Sequence, residues 1–131
     1  MTAASHRDPR RRALVRLHFE DCYDDGFGER DAFEALSRGY RSHVWAELDD
    51  GSRYQLTYYD VTRLAQTLEG EAGAGRPYFA EPGLIIVPEV TLANMEAAAR
   101  ALAAEGFFER YLARSAGPGD APPGSPGAGV G

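Results

Sequence analysis

The sequence predicts an α+β domain: a single-layer, mostly antiparallel sheet of about four strands with two to three helices on one face. Three observations carry that expectation. Residues 40–59 form two runs of alternating apolar and polar side chains joined by Asp49-Asp50-Gly51, the strongest short-range hairpin signal a sequence offers. Residues 13–19 alternate in the same way, and residues 84–87 are an unbroken aliphatic run rich in β-branched side chains. Between and beyond these strands, apolar residues recur at helical spacing, most clearly over residues 92–105. A chain of 131 residues supports one domain with a modest core.

The hairpin turn decides which side chains face inward. A two-residue loop at Asp50-Gly51 would place Val44, Ala46 and Leu48 on one face with Arg53, Gln55 and Thr57. A three-residue loop, with Gly51 in the left-handed region at a bulge, shifts the register by one. Val44, Ala46 and Leu48 then share a face with Tyr54, Leu56 and Tyr58. Only this register gives a clean apolar face, so it is the expected one. It turns His43, Trp45, Glu47, Arg53, Gln55 and Thr57 to the other side, with Glu47 opposite Arg53.

In chain order, residues 1–12 are small, polar and basic, and read as a disordered tail. The first strand follows, with Ala13, Val15, Leu17 and Phe19 on one side and His18 on the other. Residues 20–28 are an acidic loop. Asp21, Asp25 and Gly26 fit the first, fifth and sixth places of a calcium loop, but Tyr23 and Ala32 occupy the third and twelfth, so no metal is expected. Residues 29–38 have acids in the first turn, a stripe of Ala32, Phe33 and Leu36, and Gly39 as C-cap, which reads as a short helix.

After the hairpin, Asp60 is placed to cap a helix over residues 61–68 whose stripe is Val61, Leu64, Ala65 and Leu68. Residues 70–75, GEAGAG, read as a flexible connector. The run at 84–87, between Pro82-Gly83 and Pro88, is expected as a strand buried on both faces or central in the sheet. Thr91 caps the helix over residues 92–105, Gly106 ends it, Phe107-Phe108 folds back on the core, and residues 109–114 add a helical turn. Residues 115–131 contain six Gly and four Pro, and are expected to be a disordered tail. The domain is thus placed at residues 13–114. Its order of strand, helix, strand, strand, helix, strand, helix matches a ferredoxin-like βαββαβ arrangement with one C-terminal helix added.

Charge and composition narrow the function. All 14 basic residues are Arg, which together with the Ala and Gly content suggests a GC-rich, bacterial source. Residues 13–114 hold 10 Arg against 18 acids, a net of −8. That surface repels phosphate backbones and favours basic partners, so nucleic acid is not expected. The single cysteine, Cys22, cannot form an intrachain disulfide, and no run of apolar residues is long enough for a membrane span. Arg16, His18, Glu20 and Asp21 break the apolar stretch an export signal requires, which leaves a cytoplasmic protein as the expectation.

There is no phosphate loop, zinc-binding His-Glu motif, Cys pair or nucleophile elbow. No catalytic residue, metal, cofactor or small-molecule ligand is therefore predicted. The expected function is a small acidic protein-interaction module, self-associating or docking a partner through an open sheet face whose patch is His43, Trp45, Glu47, Arg53, Gln55 and Thr57. An inhibitor of the bacterial immunity type, acting on a basic toxin, is the alternative. A small enzyme with a dispersed site drawn from His18, His43, Tyr58 and Glu81 is a second alternative.

Overall fold

The computed structural model describes residues 12–20 and 26–115. The elements are β1 (Leu14–Phe19), α1 (Glu29–Arg38), β2 (Tyr40–Leu48), β3 (Arg53–Tyr59), α2 (Val61–Gly73), β4 (Leu84–Ile86), α3 (Leu92–Glu105) and α4 (Phe107–Tyr111). This is the expected mixed α+β domain with an open, mostly antiparallel four-strand sheet, in the βαββαβ element order of a ferredoxin-like chain. In space the strands follow the chain, β1-β2-β3-β4, and the first three are antiparallel. The β4 strand pairs parallel to β3, so β3–α2–β4 is an unsplit crossover with its helix between adjacent strands.

The hairpin adopts the three-residue loop. Gly51 N–H donates to Leu48 O and Leu48 N–H to Ser52 O, both at 2.9 Å, and Gly51 has φ of 84°. Glu47 is opposite Arg53 and Ala46 opposite Tyr54. The Asp50 carboxylate locks the turn by accepting from both the hydroxyl and the backbone N–H of Ser52. Arg12 adds a bond to the other Asp50 oxygen at 3.1 Å. Residue 12 was expected in the tail; this pairing and Asp49 N–H on Ala13 O tie the start of the domain to the turn.

The register delivers the core. Val44, Ala46, Leu48, Tyr54, Leu56 and Tyr58 are all buried and meet Phe19, Val87, Val90, Met95, Ala99, Ala103 and Phe108. Helices α3 and α4 supply that apolar layer, with Tyr54 stacked on Phe108 at 5.5 Å between ring centroids. The Tyr58 hydroxyl donates to Met95 O at 2.8 Å, so the buried phenol keeps a partner and binds β3 to α3. Burial raises its pKa well above the ordinary phenol range.

Three local expectations change. In α1 the inward residue is Ala35, while Phe33 and Leu36 face solvent. The α2 helix continues through Gly70 to Gly73, beyond the expected stop. Glu71 closes its end, accepting from Arg76 through both backbone O (2.8 Å) and carboxylate (2.6 Å), which offsets the low helix propensity of glycine. The aliphatic run forms a three-residue edge strand, partly exposed rather than central; Ile85 packs against the core half-buried, and full burial comes only beyond the strand, at Val87 and Val90. Prolines at 82 and 88 suit an edge, where a missing N–H costs no ladder bond.

The turn before β4 is pressed against β3. A Cβ on Gly83 would lie 2.3 Å from Gln55 O, and its φ is 78°. At Gly51, with φ of 84°, the space is open. Gly51→Ala is therefore expected to cost about 1–2 kcal/mol from backbone strain alone, and Gly83→Ala clearly more, because the β3–β4 contact must also open; chemical denaturation of both variants measures the difference.

The turn also carries a pH signature. Hydrogen bonds from Ser52, then Arg12, lower the Asp50 pKa from 3.8 to about 2. A lowered folded-state pKa means the stabilisation is complete above about pH 4 and fades as pH falls towards 2. Asp50→Asn is expected to flatten that part of the stability–pH curve, as measured by urea unfolding between those limits.

Candidate functional site

Alternation along the strands places one set of side chains on the sheet face opposite the core: Arg16 and His18 from β1, Trp45 and Glu47 from β2, and Arg53, Gln55, Thr57 and Tyr59 from β3. A bulge in β1 between Leu14 and Arg16 sets His18 beside Trp45 and Arg16 beside Glu47.

Glu47 is the electrostatic centre of this face. Its Oε1 lies 2.6 Å from His18 Nε2, 3.6 Å from Arg53 and 3.9 Å from Arg16. The His18 hydrogen bond holds its pKa below the ordinary carboxylate range, helped by the charges of His18, Arg53 and Arg16. This stabilisation is present above the ordinary value of 4.5 and lost as pH falls through the lower, folded-state one. The expected Glu47–Arg53 cross-strand pair is thus one of three contacts that Arg and His side chains make with this carboxylate.

Trp45 is only 7% exposed. Its cover is the segment after α4, rather than Phe107, Phe108 or the last helix, all of which lie with the core. Trp45 Nε1–H donates to Ser115 Oγ at 3.1 Å, while Ser115 N–H donates to Arg53 O at 2.7 Å in an isolated antiparallel bridge. Ser115, expected to begin a disordered tail, is instead a strap across the outer face. A polar serine at the edge of a Gly/Pro-rich stretch gives no sequence signal for that role; residues 116–131 lie outside the described residues.

His43 occupies a second bulge, between Arg41 and Val44, with φ of 57°. This left-handed geometry is uncommon outside glycine. Its Nδ1 lies 3.2 Å from Glu20 Oε1 and 3.1 Å from Ser42 Oγ, and Glu20 N–H donates to His43 O at 3.1 Å. Serine and carboxylate both approach the same ring nitrogen. A nucleophile relay needs them on opposite nitrogens, so this set is not arranged as one. Below it, Arg41 donates to Glu20 O at 2.6 Å and lies over the rings of Phe19 and Phe27. Glu20, Arg41, Ser42 and His43, with Arg38 and Tyr40, line a small polar cavity of about 180 Å³.

The larger opening is a groove of about 470 Å³ beside β3, lined by Gln55, Thr57, Glu81, Pro82 and residues 112–115. Thr57 is buried, and its hydroxyl donates to Glu81 Oε2 at 2.8 Å. Glu81, which the sequence offers only as a member of a dispersed site, is therefore held in place by β3; this turn-to-strand contact leaves no sequence signature. At the far end of β3, Tyr59 stacks on Tyr40 at 5.6 Å and meets Phe79, and Arg63 of α2 sits 4.5 Å over Tyr40.

The structure thus distributes the six predicted patch residues. Trp45 lies under the strap, Glu47 and Arg53 are paired beside it, Gln55 and Thr57 line the groove, and His43 is at the bulge with its ring 6.2 Å from Trp45. The four dispersed residues do not converge: His18 pairs with Glu47, His43 with Glu20 and Glu81 with Thr57, while Tyr58 is in the core on the other face. Among the described residues no cluster of three metal-ligating side chains is present, and no helix is long and apolar enough to cross a membrane. Residues 21–25 of the acidic loop, where no metal is expected, are not among those described. Comparison with known proteins finds no matching family model, curated protein or solved structure.

The strap makes Trp45 a direct reporter. In the intact chain its emission is expected to be blue-shifted and poorly quenched by acrylamide. Removing residues 112–131 is expected to shift the emission to the red and raise the quenching constant several-fold, with the helical circular dichroism retained.

Proposed function

We propose that this chain is a small, non-enzymatic protein-interaction module whose partner is a second copy of itself. The observation that supports this reading most is the apolar surface outside the core. Phe33 is 71% exposed and Leu36 also faces solvent on α1, while Val61 at 66% and Leu68 lie exposed on α2. These positions flank one junction, where Asp60 N–H donates to Gly39 O at 2.8 Å and Asp60 caps α2 through Arg63 N–H. A solvated helix in a monomer normally turns such residues inward; α2 buries none outright. The contact surface proposed here is therefore the α1–α2 side, rather than the strapped sheet face.

The net charge of −8 over residues 13–114 opposes self-association at low salt. In sedimentation velocity, the dimer fraction is expected to rise with protein concentration and with added salt. Phe33→Glu and Val61→Glu are expected to give folded monomers with the circular dichroism of the parent, because both sites are exposed in the single chain. A chain that stays monomeric under all these conditions contradicts self-association.

The same acidity favours a second reading, an inhibitor that captures a basic protein by electrostatic steering. That reading predicts an association rate that falls steeply with salt, opposite in sign to the salt dependence of the dimer.

A further inference from the structure

The groove beside β3 contains a carboxylate of fixed orientation that pairs with no cation among the described residues. On its free side, the β3 backbone is tied at two points: Arg53 O accepts from Ser115 N–H at 2.7 Å, and Thr57 N–H donates to Gly83 O at 2.9 Å. The groove opens between these ties, with exposed Gln55 on its floor and Glu81-Pro82 and residues 112–115 as walls. Close packing of Gly83 on Gln55 O anchors the turn that carries Glu81.

Among the described residues no cation lies at ion-pair distance from Glu81, whereas Glu47, Glu20, Glu34 and Glu71 each have an Arg or His within 4 Å. Among the described residues its one side-chain hydrogen bond is from the buried Thr57 hydroxyl, which occupies a single acceptor position of the carboxylate. The carboxylate also lies close enough to Tyr59 to help burial raise that phenol's pKa. Arg114 lines the groove without reaching Glu81.

We propose that this groove binds the guanidinium of an arginine side chain on an extended segment of a partner protein, with Glu81 as the anchoring carboxylate. A planar guanidinium matches a carboxylate in two parallel hydrogen bonds, which a compact ammonium does not. The Gln55 amide oxygen offers a further acceptor, and Pro82 and Leu112 provide apolar walls for the arginine stem. The volume is sufficient for a side chain with its flanking backbone, and the acidic domain favours approach of a basic segment. Arg114 is the local competitor, so its charge weakens the site.

This site is independent of the apolar α1–α2 surface. The test uses the full chain, isotopically labelled, titrated with acetyl-Ala-Arg-Ala-amide and with the same peptide carrying neutral, isosteric citrulline. The backbone amides of Gln55, Thr57 and Glu81 and the Trp45 emission are expected to respond saturably to the arginine peptide alone. Glu81→Gln is expected to weaken binding at least about tenfold, the loss of one charge-assisted pair. Thr57→Val, which frees the carboxylate to rotate, weakens it several-fold, and Arg114→Ala tightens it. Val61→Glu leaves it unchanged, separating this site from the dimer surface. Equal response to citrulline, no saturable response, or binding of acetyl-Ala-Glu-Ala-amide through Arg114 would overturn the proposal. The peptide comparison needs no variant, so a misfolded Glu81→Gln does not blunt it.

Discussion

The bond between Asp50 and Ser52 fixes more of this molecule than any other single contact. By accepting from the Ser52 N–H and hydroxyl, Asp50 selects a loop of three residues, and Gly51 takes the positive φ that this loop requires. Side chains alternate along a strand, so the loop length decides the destination of every residue in β2 and β3. Val44, Leu48, Leu56 and Tyr58 go to the core because of it. Trp45, Glu47, Gln55 and Thr57 go to the face that carries the strap and the groove.

That outer face is organised by closure as much as by charge. Glu47 gathers His18, Arg53 and Arg16, so most of the formal charge near Trp45 is internally paired. Ser115 completes the cover by bonding both the indole and the β3 backbone. What stays open is displaced to either side: the groove with Glu81 towards β4, and the strained His43 bulge with Glu20 towards β1. The large apolar side chains left in solvent lie elsewhere, on α1 and α2 among other places. The proposed self-association surface and the proposed arginine groove thus lie on different parts of the surface.

The parts of the fold legible in the sequence are those set by local pattern. Alternation gave the hairpin faces, and a clean apolar face selected the three-residue turn; Thr91 and Gly106 bounded α3 because capping is a local interaction. The patterns failed where a neighbour decides the outcome. Phe33 and Val61 sit on well-formed apolar stripes, yet no sheet surface covers them, and nothing within either helix records that. Gly70 reads as a helix stop, and the Glu71–Arg76 contacts that carry α2 beyond it depend on a pair five residues apart. The strap and the Thr57–Glu81 contact depend on chain segments brought together only by the fold, at separations of 70 and 24 residues. That Trp45, Glu47, Arg53, Gln55 and Thr57 share the outer face was legible from register; which of them remain accessible was not, since Ser115 has no apolar character to mark it as a cover.

The most direct test of the account is the cross-strand register, read from Hα–Hα nuclear Overhauser effects in the hairpin. In the three-residue loop, Trp45 faces Gln55 and Glu47 faces Arg53. Both are non-hydrogen-bonded pairs, in which the α-carbons approach to about 4.5 Å, and strong Hα–Hα contacts are expected at each. Contacts from Ala46 to Gln55 and from Leu48 to Arg53 would mean a two-residue loop, exchange the two faces of the sheet, and contradict the core, the strap over Trp45 and the groove together.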